Sequence, residues 1–257
     1  MNLFLKDKVI VINGGTKGLG RGVALAAAQE GAKIVIGGRT ESDGNEIIKE
    51  IKDEFNSSAI FIKGDITKVE NCDLLIRGAE QHFGRINGLV NYSGITDRGT
   101  LTETGEELYN NIFDANFKSA FFCCKFAVAS MLKTGGGSIV NIGSTHGYGG
   151  AMDMAAYACS KGAMLTLTKH ISKNYAKNQI RANWITMGWV ATPNEIELFK
   201  SKNHDLEWIN EQGKTVIPMG RLQTVQDNVP GVLYLLSDLS SHVTGAELHI
   251  SGGFFPN

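Results

Sequence analysis

Proline is scarce in this 257-residue chain, with four in all, and no proline- or glycine/serine-rich stretch forms a linker, so nothing marks a division into separately folding pieces. The four cysteines, Cys72, Cys123, Cys124 and Cys159, lack the CxxC spacing of zinc and redox motifs, and adjacent Cys123 and Cys124 are poorly placed to bridge. We therefore expect reduced, buried thiols and no metal site. Long apolar runs are also missing. No stretch approaches the roughly 18 residues of a membrane span, and Lys6, Asp7 and Lys8 precede any long run, which fits a cytoplasmic protein with no membrane partner. Nor is there an excess of one charge: 25 Lys and Arg stand against 26 Asp and Glu, leaving no global field for nucleic acid or an anionic membrane. Any anion site must be local.

What the chain does have is alternation. Short β-branched or apolar runs at residues 8–13, 33–37, 59–63, 88–92, 138–142, 181–186 and 247–250 read as seven strands. They are apolar throughout rather than on every second residue, as expected of parallel strands covered on both faces. Helical periodicity is clearest at 19–30, 47–55, 73–83, 112–132, 155–176 and 226–236, with Gly31 and Gly84 just past the ends of two of these. The expected fold is a single α/β domain with a doubly wound, seven-stranded parallel sheet of Rossmann type. One long connection, about 192–217, carries no strand signal and reads as a lid over a substrate.

The first strand runs into Gly14, Gly18 and Gly20 and then an apolar helix. Glycines there allow a tight turn and let backbone N–H groups approach a pyrophosphate at the positive end of the helix. A tight turn with no ligand would need the same residues. The spacing is GxxxGxG, and with it come Gly64-Asp65-Ile66, Asn91-Tyr92-Ser93-Gly94, Asn116, Ser144, Tyr157 with Lys161, Gly188 with Thr192, and Ser251-Gly252-Gly253, in order along nearly the whole chain. In this the sequence resembles the short-chain dehydrogenase/reductase family, in its compact branch of about 250 residues. The resemblance implies a nicotinamide cofactor held by Gly14, Thr16, Lys17, Gly18, Leu19 and Gly20, with Asp65 and Ile66 at the adenine. It places Asn91, Ser93 and Gly94 on the nicotinamide ribose side, with Gly188, Val190 and Thr192 beyond. Asp65 could also cap the next helix.

The choice of cofactor turns on the end of the second strand, where a carboxylate would bond the adenosine 2′-hydroxyl and repel a 2′-phosphate. This chain has Gly38 there, followed by Arg39 and Thr40, with Lys17 in the glycine turn as a second cation. The guanidinium fork suits a phosphate, so we expect NADP(H), although Glu41 lies close enough in sequence to neutralise Arg39.

Tyr157 and Lys161 are four residues apart on an expected helix and so share a face. Reducing a ketone needs a hydride to carbon and a proton to oxygen, yet a free tyrosine has a pKa of about 10. A nearby ammonium lowers it towards working pH. The resemblance implies Tyr157 as acid/base, Lys161 as its cation and ribose ligand, Ser144 as the group that orients the carbonyl, and Asn116 as a helix-bending residue that holds a proton-relay water. A small-molecule substrate, namely a sugar, polyol or hydroxy acid, is expected.

Several residues depart from the family pattern. Asn13 replaces threonine, Tyr92-Ser93 replaces Asn-Ala, and Met187 stands where proline would stiffen the backbone before Gly188. His146, two residues after Ser144, reads as a weak substrate contact. Two other functions are weighed. A 3-oxoacyl carrier-protein reductase would want a basic landing patch, whereas the expected lid holds Glu195, Glu197, Asp205, Glu207 and Glu211 beside Lys200 and Lys202. A non-catalytic NADP(H)-sensing or scaffold protein would have no use for Ser144, Tyr157 and Lys161 together. Long apolar helices and the Gly252-Gly253-Phe254-Phe255 tail suggest a homotetramer or homodimer.

Overall fold

Because successive side chains of a strand point to opposite faces, a strand of uninterrupted apolar residues must be covered twice. The computed structural model, which describes residues 3–201 and 203–255 apart from the side chains of residues 193, 194 and 198, shows how. On β1 (Val9–Asn13), Ile10 and Ile12 enter one core and Val9 and Val11 the other. The first core is closed by α1 (Gly18–Gln29), α2 (Glu41–Phe55) and α9 (Val225–Leu236), through residues such as Val23, Ile47 and Val232. The second is closed by α3 (Val69–Phe83), α5 (Ser119–Thr134) and α6 (Ala155–Asn174), through Leu75, Ala127 and Ile171.

The other strands are β2 (Lys33–Gly38), β3 (Ala59–Lys63), β4 (Gly88–Asn91), β5 (Gly137–Ile142), β6 (Ile180–Met187) and β7 (Glu247–Ile250). All pairings are parallel, in the order β3-β2-β1-β4-β5-β6-β7. Winding reverses between β1 and β4, and a crevice opens beyond the carboxyl ends of the strands at such a point. This is the expected doubly wound sheet.

Differences from the sequence reading are local. The segment read as one helix over 112–132 is α4 (Glu106–Phe113), a π turn over Asp114–Lys118, and then α5. The lid segment holds two helices, α7 (Pro193–Lys200) and α8 (Leu206–Val216); Lys202 lies outside the described residues. The thiol expectation needs correction at one place: Cys72, Cys123 and Cys124 are buried, but Cys159 is exposed. The reason is helical phase, since α6 turns Tyr157, Ser160 and Lys161 inward and position 159 falls on the other side.

Candidate active site

At the end of β1 the chain must turn into α1 within a few residues, and backbone meets backbone there. A Cβ on Gly20 would lie 2.1 Å from the Gly14 carbonyl oxygen, and Gly14 itself has φ +87° with Ser93 Oγ only 2.6 Å from where its Cβ would be. Only glycine fits this cradle. It opens into one cavity of about 660 Å³ that runs from Thr16, Arg39 and Asp65 at one end to Ser144, Tyr157 and Trp189 at the other.

Most of the expected site residues line that cavity: Gly14, Thr16, Lys17, Gly18, Arg39, Thr40, Asp65, Ile66, Ser93, Gly94, Ser144, Tyr157, Lys161, Gly188, Val190 and Thr192. Four stand behind its wall. Gly20 and buried Leu19 pack the turn, the Leu19 N–H being donated to the Tyr92 hydroxyl. Asn91 is buried among polar neighbours, donating to Asn141 Oδ1 at 2.8 Å and to Cys124 Sγ at 3.2 Å, so its side chain braces strands rather than facing a ligand. Asn116, fully buried, receives the Ile95 N–H at 2.7 Å and donates to Ile95 O at 3.0 Å and Ser160 Oγ at 3.2 Å. It lies in the π turn Asp114–Lys118, an interruption of the α-helical ladder at the place where a bend is expected.

The Arg39 and Asp65 end carries several charges. Asp65 does not cap α3, whose N-cap is Lys68. Its Oδ1 receives the Thr67 N–H at 3.1 Å and the Thr67 hydroxyl at 2.9 Å. Burial pushes the carboxyl up, but those two bonds, with Arg39 and Lys68 nearby, hold it below its ordinary value. Lys17 pairs with Asp43 at 2.9 Å. Glu41 pairs with Lys63 at 3.0 Å and so does not neutralise Arg39, for which no ion pair is found among the described residues. A planar cation that makes no ion pair among the described residues, although the Asp65 carboxylate is near, fits a dinucleotide phosphate at the end of β2 beside a glycine cradle.

At the other end Ser144 follows β5, while Tyr157 and Lys161, 8% and 6% exposed, project from α6. Lys161 Nζ donates to Ile142 O at 3.0 Å and lies 5.8 Å from the Tyr157 ring centre. Burial pushes Tyr157 up to about 12, with a Ser144 hydrogen bond pulling it back, and brings Lys161 down to about 8. In the protein alone, then, desolvation outweighs the Ser144 hydrogen bond at Tyr157. Burial is the largest cause of both shifts, with Tyr92 and Glu195 adding to it at Tyr157.

Met187 leaves no loose edge. The Gly188 N–H is shared between Gln223 Oε1 at 2.9 Å and Ile250 O at 3.2 Å, and Gln223 Nε2 donates to Ile250 O at 2.7 Å. Hydrogen bonds replace the ring that proline would have supplied. Gln223 was missed in the sequence because it comes from 35 residues away and belongs to no motif. The reading also missed Arg98, Met154, Phe199 and Phe254, all of which line the cavity. Arg98 follows the carboxyl end of β4, a position that could have raised it, but Phe254 arrives only because β7 brings the tail back. Thr192 caps α7 by accepting the Glu195 N–H at 3.3 Å, and Glu195 accepts from Trp189 Nε1 at 2.9 Å. Among the described residues no group of three His, Cys, Asp or Glu side chains could hold a metal ion, and no helix is long and apolar enough to cross a membrane.

Comparison with known proteins agrees with this geometry. Residues 14–255 match the family model described as enoyl-(acyl carrier protein) reductase. The chain is 30% identical over 253 residues, 98% of its own length and 99% of the relative's, to the 3-oxoacyl-(acyl-carrier-protein) reductase FabG of Chlamydia muridarum. L-sorbose reductase from Gluconobacter frateurii, solved with NADPH and L-sorbose, superposes with a TM-score of 0.95 over 100% of both chains at 23% identity, which is a likeness of fold. A 7α-hydroxysteroid dehydrogenase solved with NADH and 7-oxoglycochenodeoxycholic acid gives 0.90 over 100% of this chain and 97% of that one, at 27% identity. The chain belongs to the short-chain dehydrogenase/reductase family of oxidoreductases.

Proposed function

We propose that this protein is an NADP(H)-dependent oxidoreductase that interconverts a secondary alcohol and a ketone on a small polar substrate. The observation that carries the reading is that Ser144, Tyr157 and Lys161 share one wall of the cavity that also contains the Gly14 to Gly18 turn and Arg39. When bound, the nicotinamide supplies or accepts the hydride. Tyr157 gives the proton to the ketone oxygen, and burial keeps it protonated for that task. When the same group must act as base, the Lys161 ammonium works against burial. Ser144 Oγ accepts the His146 N–H at 3.2 Å, and its own proton, which bonds Tyr157 in the protein alone, turns to the substrate oxygen. Lys161, anchored on Ile142 O, keeps further donors for ribose hydroxyls, and Asn116 fixes the Ile95 backbone and Ser160 beside it. Asn116 has its side chain engaged, so a proton-relay water would have to be held by its backbone.

NADP(H) is preferred over NAD(H) because Gly38 offers no carboxylate and Arg39 is available for a 2′-phosphate. Relatives point both ways, one solved with NADPH and another with NADH. We further propose a homodimer or homotetramer, since Tyr109, Phe121 and Leu132 leave apolar surface exposed on the α4 to α5 segment.

The carrier-protein reductase reading is favoured by the family model and the Chlamydia relative. Charge disfavours it: Arg98, which lines the cavity, pairs with Asp153 at 2.9 Å, and Lys214 pairs with Glu211 and Arg221 with Asp227. A panel of ketones, sugars and acyl thioesters, read by NADPH consumption, separates the two. Turnover of small polar ketones with none of the thioester supports the alcohol/ketone reading, and thioester reduction alone would replace it. NADPH binding with no turnover of any panel member would favour the sensor.

A further inference from the structure

His146 sits beside the reacting groups without any part in the chemistry just described. It lies in the short 3₁₀ turn Thr145–Tyr148 after Ser144, half-buried, and lines the cavity. Its ring meets Tyr157 edge to face, with centroids 6.2 Å apart. The Ala151 N–H donates to His146 Nδ1 at 3.2 Å, and a backbone N–H can only donate, so Nδ1 bears a lone pair and the ring proton is on Nε2. Burial and the Arg98 charge both disfavour a second proton on the ring, against the opposing charge of Asp153. A neutral ring with a fixed tautomer results. Its frame is rigid, since Arg98 Nη1 bonds both Asp153 oxygens at 3.0 and 2.9 Å, and residues 99 and 154 pair across the same gap. The Nε2–H edge has no acceptor among the described residues.

We propose that His146 is a substrate-binding residue whose Nε2–H holds a neutral oxygen on the carbon next to the one that reacts, so that the substrates are α-hydroxyketones and vicinal diols. This rests on the alcohol/ketone reading above and narrows it. Proximity sets the position: His146 is two residues from Ser144, bonded to it through the backbone, and packed on Tyr157, so a substrate oxygen held by those two hydroxyls presents its neighbouring carbon to the imidazole. Charge sets the class. The cation nearest the imidazole, Arg98, is committed to Asp153, and Glu195 also lines the cavity, so the pocket favours a neutral hydroxyl over a carboxylate.

The test compares 1-hydroxy-2-butanone with 2-butanone, which share a carbon skeleton, in the wild type, His146→Leu and His146→Gln, with NADPH affinity measured by fluorescence for each. The wild type should prefer the hydroxyketone in kcat/KM by about tenfold, the value of one hydrogen bond. His146→Leu should bring the two substrates level while NADPH affinity is unchanged, and His146→Gln, whose amide also donates, should restore part of the preference. A preference that survives His146→Leu, or a wild type that binds NADPH and does not favour the hydroxyketone, overturns the assignment. A wild type that binds neither NADPH nor NADH instead removes the alcohol/ketone reading on which it stands.

Discussion

The two ends of the cavity are built from different materials. At the glycine-turn end the wall is backbone: the turn from β1 into α1 is so tight that Gly20 meets the Gly14 carbonyl, and strands buried on both faces fix everything behind it. At the Ser144 and Tyr157 end the wall is side chains, and one of them, Phe199 of the short helix α7, is backed at 5.6 Å by Trp208 of α8, which stacks on His204 at 3.8 Å. A backbone site tolerates few changes and binds the same group in many proteins. A side-chain site can be repacked, and specificity is written there.

That contrast can be broken from either end. Gly20→Ala should have the largest effect: it forces a methyl into the Gly14 carbonyl, destabilises the protein by about 3 kcal/mol or more and abolishes measurable NADPH binding. Thermal melting and fluorescence titration check both, and a stable variant that still binds would mean the cradle is soft. Arg39→Ala comes next, removing a charged hydrogen bond of about 1.5–3 kcal/mol to the 2′-phosphate while leaving NADH affinity unchanged. Equal losses for the two cofactors would take Arg39 out of the discrimination.

Lys161→Met probes the dry wall that joins the ends. Burial lowers Lys161 from 10.5 to about 8, so the native protein sheds this proton before the unfolded chain does. Native stability should therefore rise with pH between those values, and the cost of the buried ammonium is fully present below 8. Between about pH 7.5 and 9.5 the wild type should gain about 2 kcal/mol relative to Lys161→Met in urea unfolding without cofactor. Parallel curves would place Lys161 in water. The smallest effect is expected from Trp208→Ala, which removes a half-exposed stack worth about 1 kcal/mol and should lower the melting temperature slightly with NADPH affinity unchanged.

What the sequence made legible follows the same division. Uniformly apolar strands gave the sheet, since burial on both faces leaves its mark on every residue, and the glycine spacing gave the cradle because no other residue fits. Helix phase put Tyr157 and Lys161 together. The 112–132 pattern ran through the π turn at Asn116, because α5 is apolar on most of its faces and the phase shift of one extra residue leaves little mark there. The phase of α6 leaves Cys159 exposed, against the expectation of a buried thiol. At 192–217 the reading found no strand and missed α7 and α8, whose apolar faces are short and mixed with charge. Gln223 and Phe254 were invisible, since only the closed fold brings them to the cavity.

The central claim is that Tyr157 passes the proton while the rest of the site holds the cofactor. Turnover and NADPH affinity of Tyr157→Phe, measured side by side on any ketone that the wild type reduces, test it most directly. The account predicts a fall in turnover of at least ~10²-fold with NADPH bound as tightly as before, because the ring stays and only the proton donor is lost. Full turnover in that variant would contradict it.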